Sequence, residues 1–117
     1  MTIDAEGQGQ PSVVVPLAAI PEGRGLVVRA DDGRRVAIFR VGAAVHAIDD
    51  ACPHQSASLG EGKLFGKVVE CPRHGFLVDV TSGQCPTHPL LRTRCYEAWI
   101  DGHVVRVVMP SPGAPER

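Results

Sequence analysis

The sequence predicts an all-β domain, an antiparallel β-sandwich, on three observations. Short runs rich in Val, Ile and Leu alternate with clusters of Gly, Asp, Pro and Ser at spacings of about eight to twelve residues, the pattern of sandwiches and barrels. No segment sustains the 3.6-residue apolar period of a helix. Asp101-Gly102 and Thr81-Ser-Gly83 stand next to such runs, where Gly and Asx residues favour hairpin turns.

In chain order, residues 1–12 are polar and Gly/Gln-rich and form an N-terminal tail. The folded domain covers 13–109. Strands are predicted at 26–29, 35–41 and 44–48, with Asp31-Asp32-Gly33 and Gly42 turning between them. Further strands are expected at 67–70, 76–80, 96–100 and 104–108. Only 16–23 and 55–65 could hold a helical turn. Trp99, in a strand run with Tyr96 and Ile100, is expected in the core, as are most Val, Ile and Leu, because aromatics are few. Residues 110–117 contain three prolines and form a C-terminal tail.

Composition excludes several function classes. At 117 residues the chain is one domain. Twelve Lys and Arg against thirteen Asp and Glu leave a charge near −1 and no basic run to grip a phosphate backbone, so no nucleic-acid partner is expected. The most apolar stretch, 13–20, is broken by Pro16 and is far short of the roughly 20 residues a membrane helix needs. The first residues lack the charged and apolar regions of a signal peptide, and the expected location is cytoplasmic. There is no Gly-rich dinucleotide motif and no second set of histidines with a carboxylate for a catalytic iron.

The chemistry sits in Cys52-Pro-His54 and Cys71-Pro-Arg-His74, two thiolates and two imidazoles in the order Cys, His, Cys, His, with 55–70 between the pairs. A zinc finger of the Cys2His2 type needs both cysteines first and a helix bearing the histidines, and neither condition is met. A zinc-stabilised binding module built on the same four residues is the rival from another class. The alternating order suits a two-iron centre in which each loop gives one ligand to each iron. Pro53 and Pro72 stiffen the two loops and Gly75 lets the second turn sharply.

Across about 13–108 the sequence resembles the Rieske ferredoxins. Cys52-Pro-His-Gln followed by Leu59-Gly-Glu-Gly62 is similar to the ferredoxin components of multicomponent aromatic monooxygenases and ring-hydroxylating dioxygenases. The resemblance implies a Rieske-type sandwich with a small cluster-binding subdomain at about 50–90. It also implies one [2Fe–2S] cluster, with Cys52 and Cys71 on a buried iron and His54 and His74 on an outer one. The implied role is that of an electron carrier, not an enzyme. Its partners would be a flavin-dependent ferredoxin reductase and a terminal oxygenase, and the chain would be a monomer. The small subunit of an assimilatory nitrite reductase would share the fold and is the nearer rival.

Formal charge explains the mixed ligand set. Two ferric ions, two sulfides, two thiolates and two neutral imidazoles carry no net charge when oxidised and one negative charge when reduced. Four thiolates would start from a dianion, which is harder to reduce. Rieske potentials accordingly lie at about −150 to +300 mV against about −400 mV for all-cysteine plant-type clusters.

Respiratory and photosynthetic Rieske proteins add a disulfide between the cluster loops and two hydroxyl donors after the second histidine. Here those positions are Ala57 and Arg73, and Phe76 and Val78. A bridge-free centre at the low end of the potential range is therefore expected. Cys85-Pro-Thr-His88 is a second C-x-x-H, but the segment that separates it from His54, 55–84, is nearly twice as long as 55–70, and no strand-turn signal like Gly75-Phe76 follows it. Cys85 and Cys95 are expected as thiols, not a disulfide. His88 is expected near the centre, on a proline-containing loop with Pro86 and Pro89. His46 and His103 read as surface histidines. Gln55, Ser56 and Arg73 are candidates for partner contact.

Overall fold

The computed structural model describes residues 12–53, 57–73 and 75–110. Among the described residues, ten strands form three antiparallel sheets. The first contains β1 (Ser12–Pro16), β10 (Val104–Val108) and β9 (Ala98–Asp101), in that order. The second runs β2 (Leu26–Arg29), β3 (Arg35–Val41), β4 (Ala44–Asp49) and β8 (Cys95–Tyr96). The third is a meander of β5 (Lys63–Phe65), β6 (Val68–Glu70) and β7 (Leu77–Asp79). Two 3-10 turns, Leu17–Ala19 and Leu59–Glu61, fall inside the segments where a helical turn was expected.

The second sheet is the middle layer, and the sequence of β3 shows why. Val36, Ala37, Ile38 and Phe39 are all fully buried, yet a strand sends successive side chains to opposite faces. Val36 and Ile38 join Val13, Val15, Val105 and Val107 in a core against the first sheet. Ala37 and Phe39 join Leu59, Val69 and Val78 in a second core toward the third sheet. A continuous apolar run is thus a strand covered on both sides. Truncating Phe39 to Ala would cost about 3–5 kcal/mol.

Several boundaries differ from the sequence reading. Strand β1 pairs with β10, with Val13 opposite Val107; β1 was not anticipated, because Pro16 masked an edge strand. Strand β5 was also missed, hidden in a segment read as a helical turn. The expected strand 96–100 is two strands. Its first part pairs with β4, through Ala47 and Tyr96, and its second with β10. The break at Glu97 is a corner at which the chain changes sheets, a common device in sandwiches.

Trp99 corrects a second expectation. It is 43% exposed and does not enter the core. A period of two starting from the buried Tyr96 turns Ala98 inward and Trp99 outward, and Ala98 is the residue that packs on the core. Trp99 lies beside Arg106, which lies beside Val14, in one row across the first sheet. Of the expected tails, Ser12 opens β1 and Pro110 is described; residues 1–11 and 111–117 lie outside the described residues. Among the described residues no helix is long and apolar enough to cross a membrane.

Candidate metal centre

Two loops built on one plan carry the expected cysteine ligands. The first leaves β4, is pinned by an antiparallel bridge between Ala51 and Ser58, and closes when the Cys52 N–H donates to the Ala57 carbonyl at 2.8 Å. The second joins β6 to β7 and closes when the Cys71 N–H donates to the Phe76 carbonyl at 2.7 Å. Each begins Cys-Pro, and the proline holds φ without leaving an N–H to satisfy. In the second loop the Gly75 N–H returns to the Cys71 carbonyl at 3.0 Å. Gly75 reaches that position with φ of 69°, a conformation that glycine adopts without penalty.

Cys52 and Cys71 are 3% and 1% exposed and share one apolar cluster with Leu59, Val69 and Phe76. None of the four cysteines takes part in a disulfide. Two buried thiols, each at the start of a closed loop, suit a thiolate-bound iron shielded from water. Ala57 and Phe76 are buried at the positions noted above, and Val78 is wholly buried. His54, His74, Gln55 and Ser56 lie outside the described residues. Arg73 is described and exposed.

The first loop is held from beneath by Asp50, whose role sequence reasoning missed. Its side chain has no exposed surface. One oxygen accepts from the Ser58 hydroxyl at 2.9 Å and the Gly60 N–H at 2.8 Å. The other accepts from the Arg35 guanidinium at 3.0 Å. Its backbone is equally occupied: the Asp50 N–H donates to the Arg35 carbonyl at 3.0 Å, and the Leu59 N–H donates to the Asp50 carbonyl at 2.7 Å. A buried carboxylate needs this many donors to offset its lost hydration. The available signal was a second aspartate directly after β4, two positions before Cys52.

The competing pair is built differently. Cys85 is 1% exposed within the same apolar cluster as Cys52 and Cys71. Burial pushes its thiol up, and nearby Cys52 adds to the effect. Its loop is closed by the His88 N–H donating to the Cys85 carbonyl at 2.9 Å, a tight turn unlike the two longer closures. The exposed His88 ring stacks on Phe76, with centroids 4.8 Å apart, and its Nδ1 is 3.1 Å from the Thr87 hydroxyl. His88 thus lies against the loop of Cys71. His103 is exposed, whereas His46 is half-buried. Burial pushes the His46 imidazole below its usual range, against an opposing pull from Asp79.

The sequence profile of the Rieske [2Fe-2S] domain matches residues 10–105. The chain belongs to the Rieske [2Fe-2S] domain family. With the Rieske domain comes a [2Fe–2S] cluster, which the pair of buried thiols fits. The ferredoxin component of the naphthalene 1,2-dioxygenase system of Pseudomonas aeruginosa is 33% identical over 94 residues, covering 80% of this chain and 89% of that protein. Among solved structures, one chain is 29% identical with a TM-score of 0.77, covering 88% of this chain and 98% of that one; it comes from the complex of reduced oxygenase and oxidized ferredoxin in carbazole 1,9a-dioxygenase. A nitrite reductase small subunit from Mycobacterium tuberculosis superposes with a TM-score of 0.79 at 24% identity, covering 87% and 97% of the two chains. That likeness is one of fold.

Proposed function

We propose that this Rieske chain is the one-electron carrier of a multicomponent oxygenase system. It would take electrons from a flavin-dependent reductase and deliver them to a terminal oxygenase, and it performs no substrate chemistry of its own. The cluster is assigned to Cys52, His54, Cys71 and His74, in a subdomain spanning about 50–90 that includes the third sheet. When bound, the cluster accepts and releases one electron without large rearrangement.

The observation that carries the ligand assignment is the matching closure of the two Cys-Pro loops, at 2.8 and 2.7 Å. The chain's own residues supply rigidity and dryness. Prolines and closing hydrogen bonds fix the ends of the loops, Asp50 anchors the first, and the apolar cluster keeps water from the thiolate side. A fixed site keeps the reorganisation on electron transfer small.

The oxygenase reading is preferred to the nitrite reductase reading because the naphthalene-system relative is 33% identical over most of both chains, while the nitrite reductase subunit shares the fold alone. Family membership sets the zinc reading aside. The test is reconstitution: purified holoprotein, mixed with a ferredoxin reductase, NADH and a terminal oxygenase, should support substrate oxidation that stops when the chain is omitted. Turnover independent of the chain, or coupling only to a nitrite reductase, would overturn the proposal.

A further inference from the structure

We propose that Leu90 is the apolar anchor by which the chain seats on its terminal oxygenase, an inference that rests on the oxygenase reading above. Leu90 lies in the loop 85–91, whose base is fixed by the bridge between Gln84 and Arg92 and by the Thr93 N–H donating to the Gly83 carbonyl at 2.8 Å. Inside that base are two tight turns placed back to back. The His88 N–H donates to the Cys85 carbonyl, and the Leu91 N–H donates to the His88 carbonyl, both at 2.9 Å. Pro86 and Pro89 each occupy the second position of their turn, where the φ that the proline ring fixes is the one the turn needs.

Both feet of this loop are sunk in the core, since Cys85 is buried and Leu91 packs on the same cluster. Every residue from 86 to 90 is exposed, and Leu90 is 98% exposed. A single exposed leucine is ordinary in itself. This one is held out by preformed turns beside the redox centre, because His88 stacks on Phe76 and the Phe76 carbonyl closes the loop of Cys71. A side chain already fixed in its bound position loses little freedom on docking, and interfaces concentrate their energy in such anchors.

The position describes the occupant. Charge on this side is mixed: Arg92 and Arg73 are exposed, and Glu61 and Glu70 lie beside Cys71, Pro72 and Gly75. The complementary surface is an apolar socket with a polar rim, on a partner that must approach the cluster to receive its electron. The carbazole complex makes an oxygenase the occupant to test first.

The experiment is stopped-flow transfer from the pre-reduced chain to the oxidised terminal oxygenases of the naphthalene and carbazole systems, giving an apparent Kd and a limiting rate. Leu90→Ser should raise the apparent Kd about tenfold, which is about 1.4 kcal/mol, with the limiting rate, visible spectrum and reduction potential unchanged. Leu90→Met should remain within about twofold of wild type, because volume and polarity are kept. An unchanged Kd for Leu90→Ser, in a wild type that does transfer electrons, overturns the anchor and leaves the carrier role standing. A rise accompanied by a changed potential or spectrum also overturns it, by showing that Leu90 acts on the centre. Failure of wild type with both oxygenases overturns the oxygenase reading and the anchor with it.

Discussion

The Arg35 guanidinium meets the wholly buried Asp50 carboxylate at 3.0 Å and thereby ties the middle sheet to the base of the first cluster loop. Arg35 itself is 48% exposed in its side chain. The pair is therefore one buried charge reached by a solvated partner, not a dry ion pair.

Replacing Asp50 by Ala leaves the Ser58 hydroxyl and the Gly60 N–H without their acceptor. Breaking a fully buried pair costs about 3–5 kcal/mol; with Arg35 solvated, about 2–3 kcal/mol is expected. Chemical denaturation of the holoprotein measures it. The cluster should also bleach faster in the variant, because loss of the clamp loosens the loop of Cys52. Equal bleaching rates would show that Asp50 supports the fold alone.

Cys71→Ala should abolish the visible absorption of the cluster and the rhombic paramagnetic resonance signal of its reduced form. Cys85→Ala should retain both and lose about 1 kcal/mol of stability as a small core truncation. The reverse result would transfer the ligand role to Cys85 and His88.

His46 makes stability depend on pH in a defined direction. Burial lowers its pKa in the folded state from 6.5, so the unfolded chain binds the proton more readily. Stability should therefore fall as pH drops through 6.5, and this loss levels off once pH passes the lower folded value. His46→Gln should remove this component of the slope, read as denaturation midpoints at pH about 7.5 and about 5.5.

Phe76 and Val78, both buried, carry no hydroxyl, so at these two positions the chain would offer a bound cluster no side-chain hydrogen bond to stabilise its reduced, more negative state. A midpoint potential below about +100 mV is expected within the Rieske range. A potentiometric titration followed by paramagnetic resonance checks it.

Much of the fold was legible wherever a local rule was decisive. The hairpin of β3 and β4 turns at Gly42-Ala43, with Val41 paired to Ala44, as the glycine required. The two Cys-Pro loops were visible because cysteines and histidines at such short spacings are rare in a chain with few of either. What escaped depended on distant partners. Val13 and Val15 become a strand only because β10 pairs with them. Trp99 faces outward because it stands three positions after the buried Tyr96, on the opposite phase of the alternation. Asp50 reads as an ordinary turn residue until Ser58, Gly60 and Arg35 are brought to it, and Leu90 becomes distinctive only through its exposure on rigid turns.

The pairing of Val13 with Val107 also orders the assembly of the molecule in time. The third sheet is made of neighbouring hairpins, with Leu64 opposite Val69 and Val69 opposite Val78. Such short-range contacts close quickly, whereas contacts across nearly the whole chain close slowly. On a ribosome, β1 has no partner until Val107 has emerged. The two hairpins of the third sheet can therefore form before the first sheet closes.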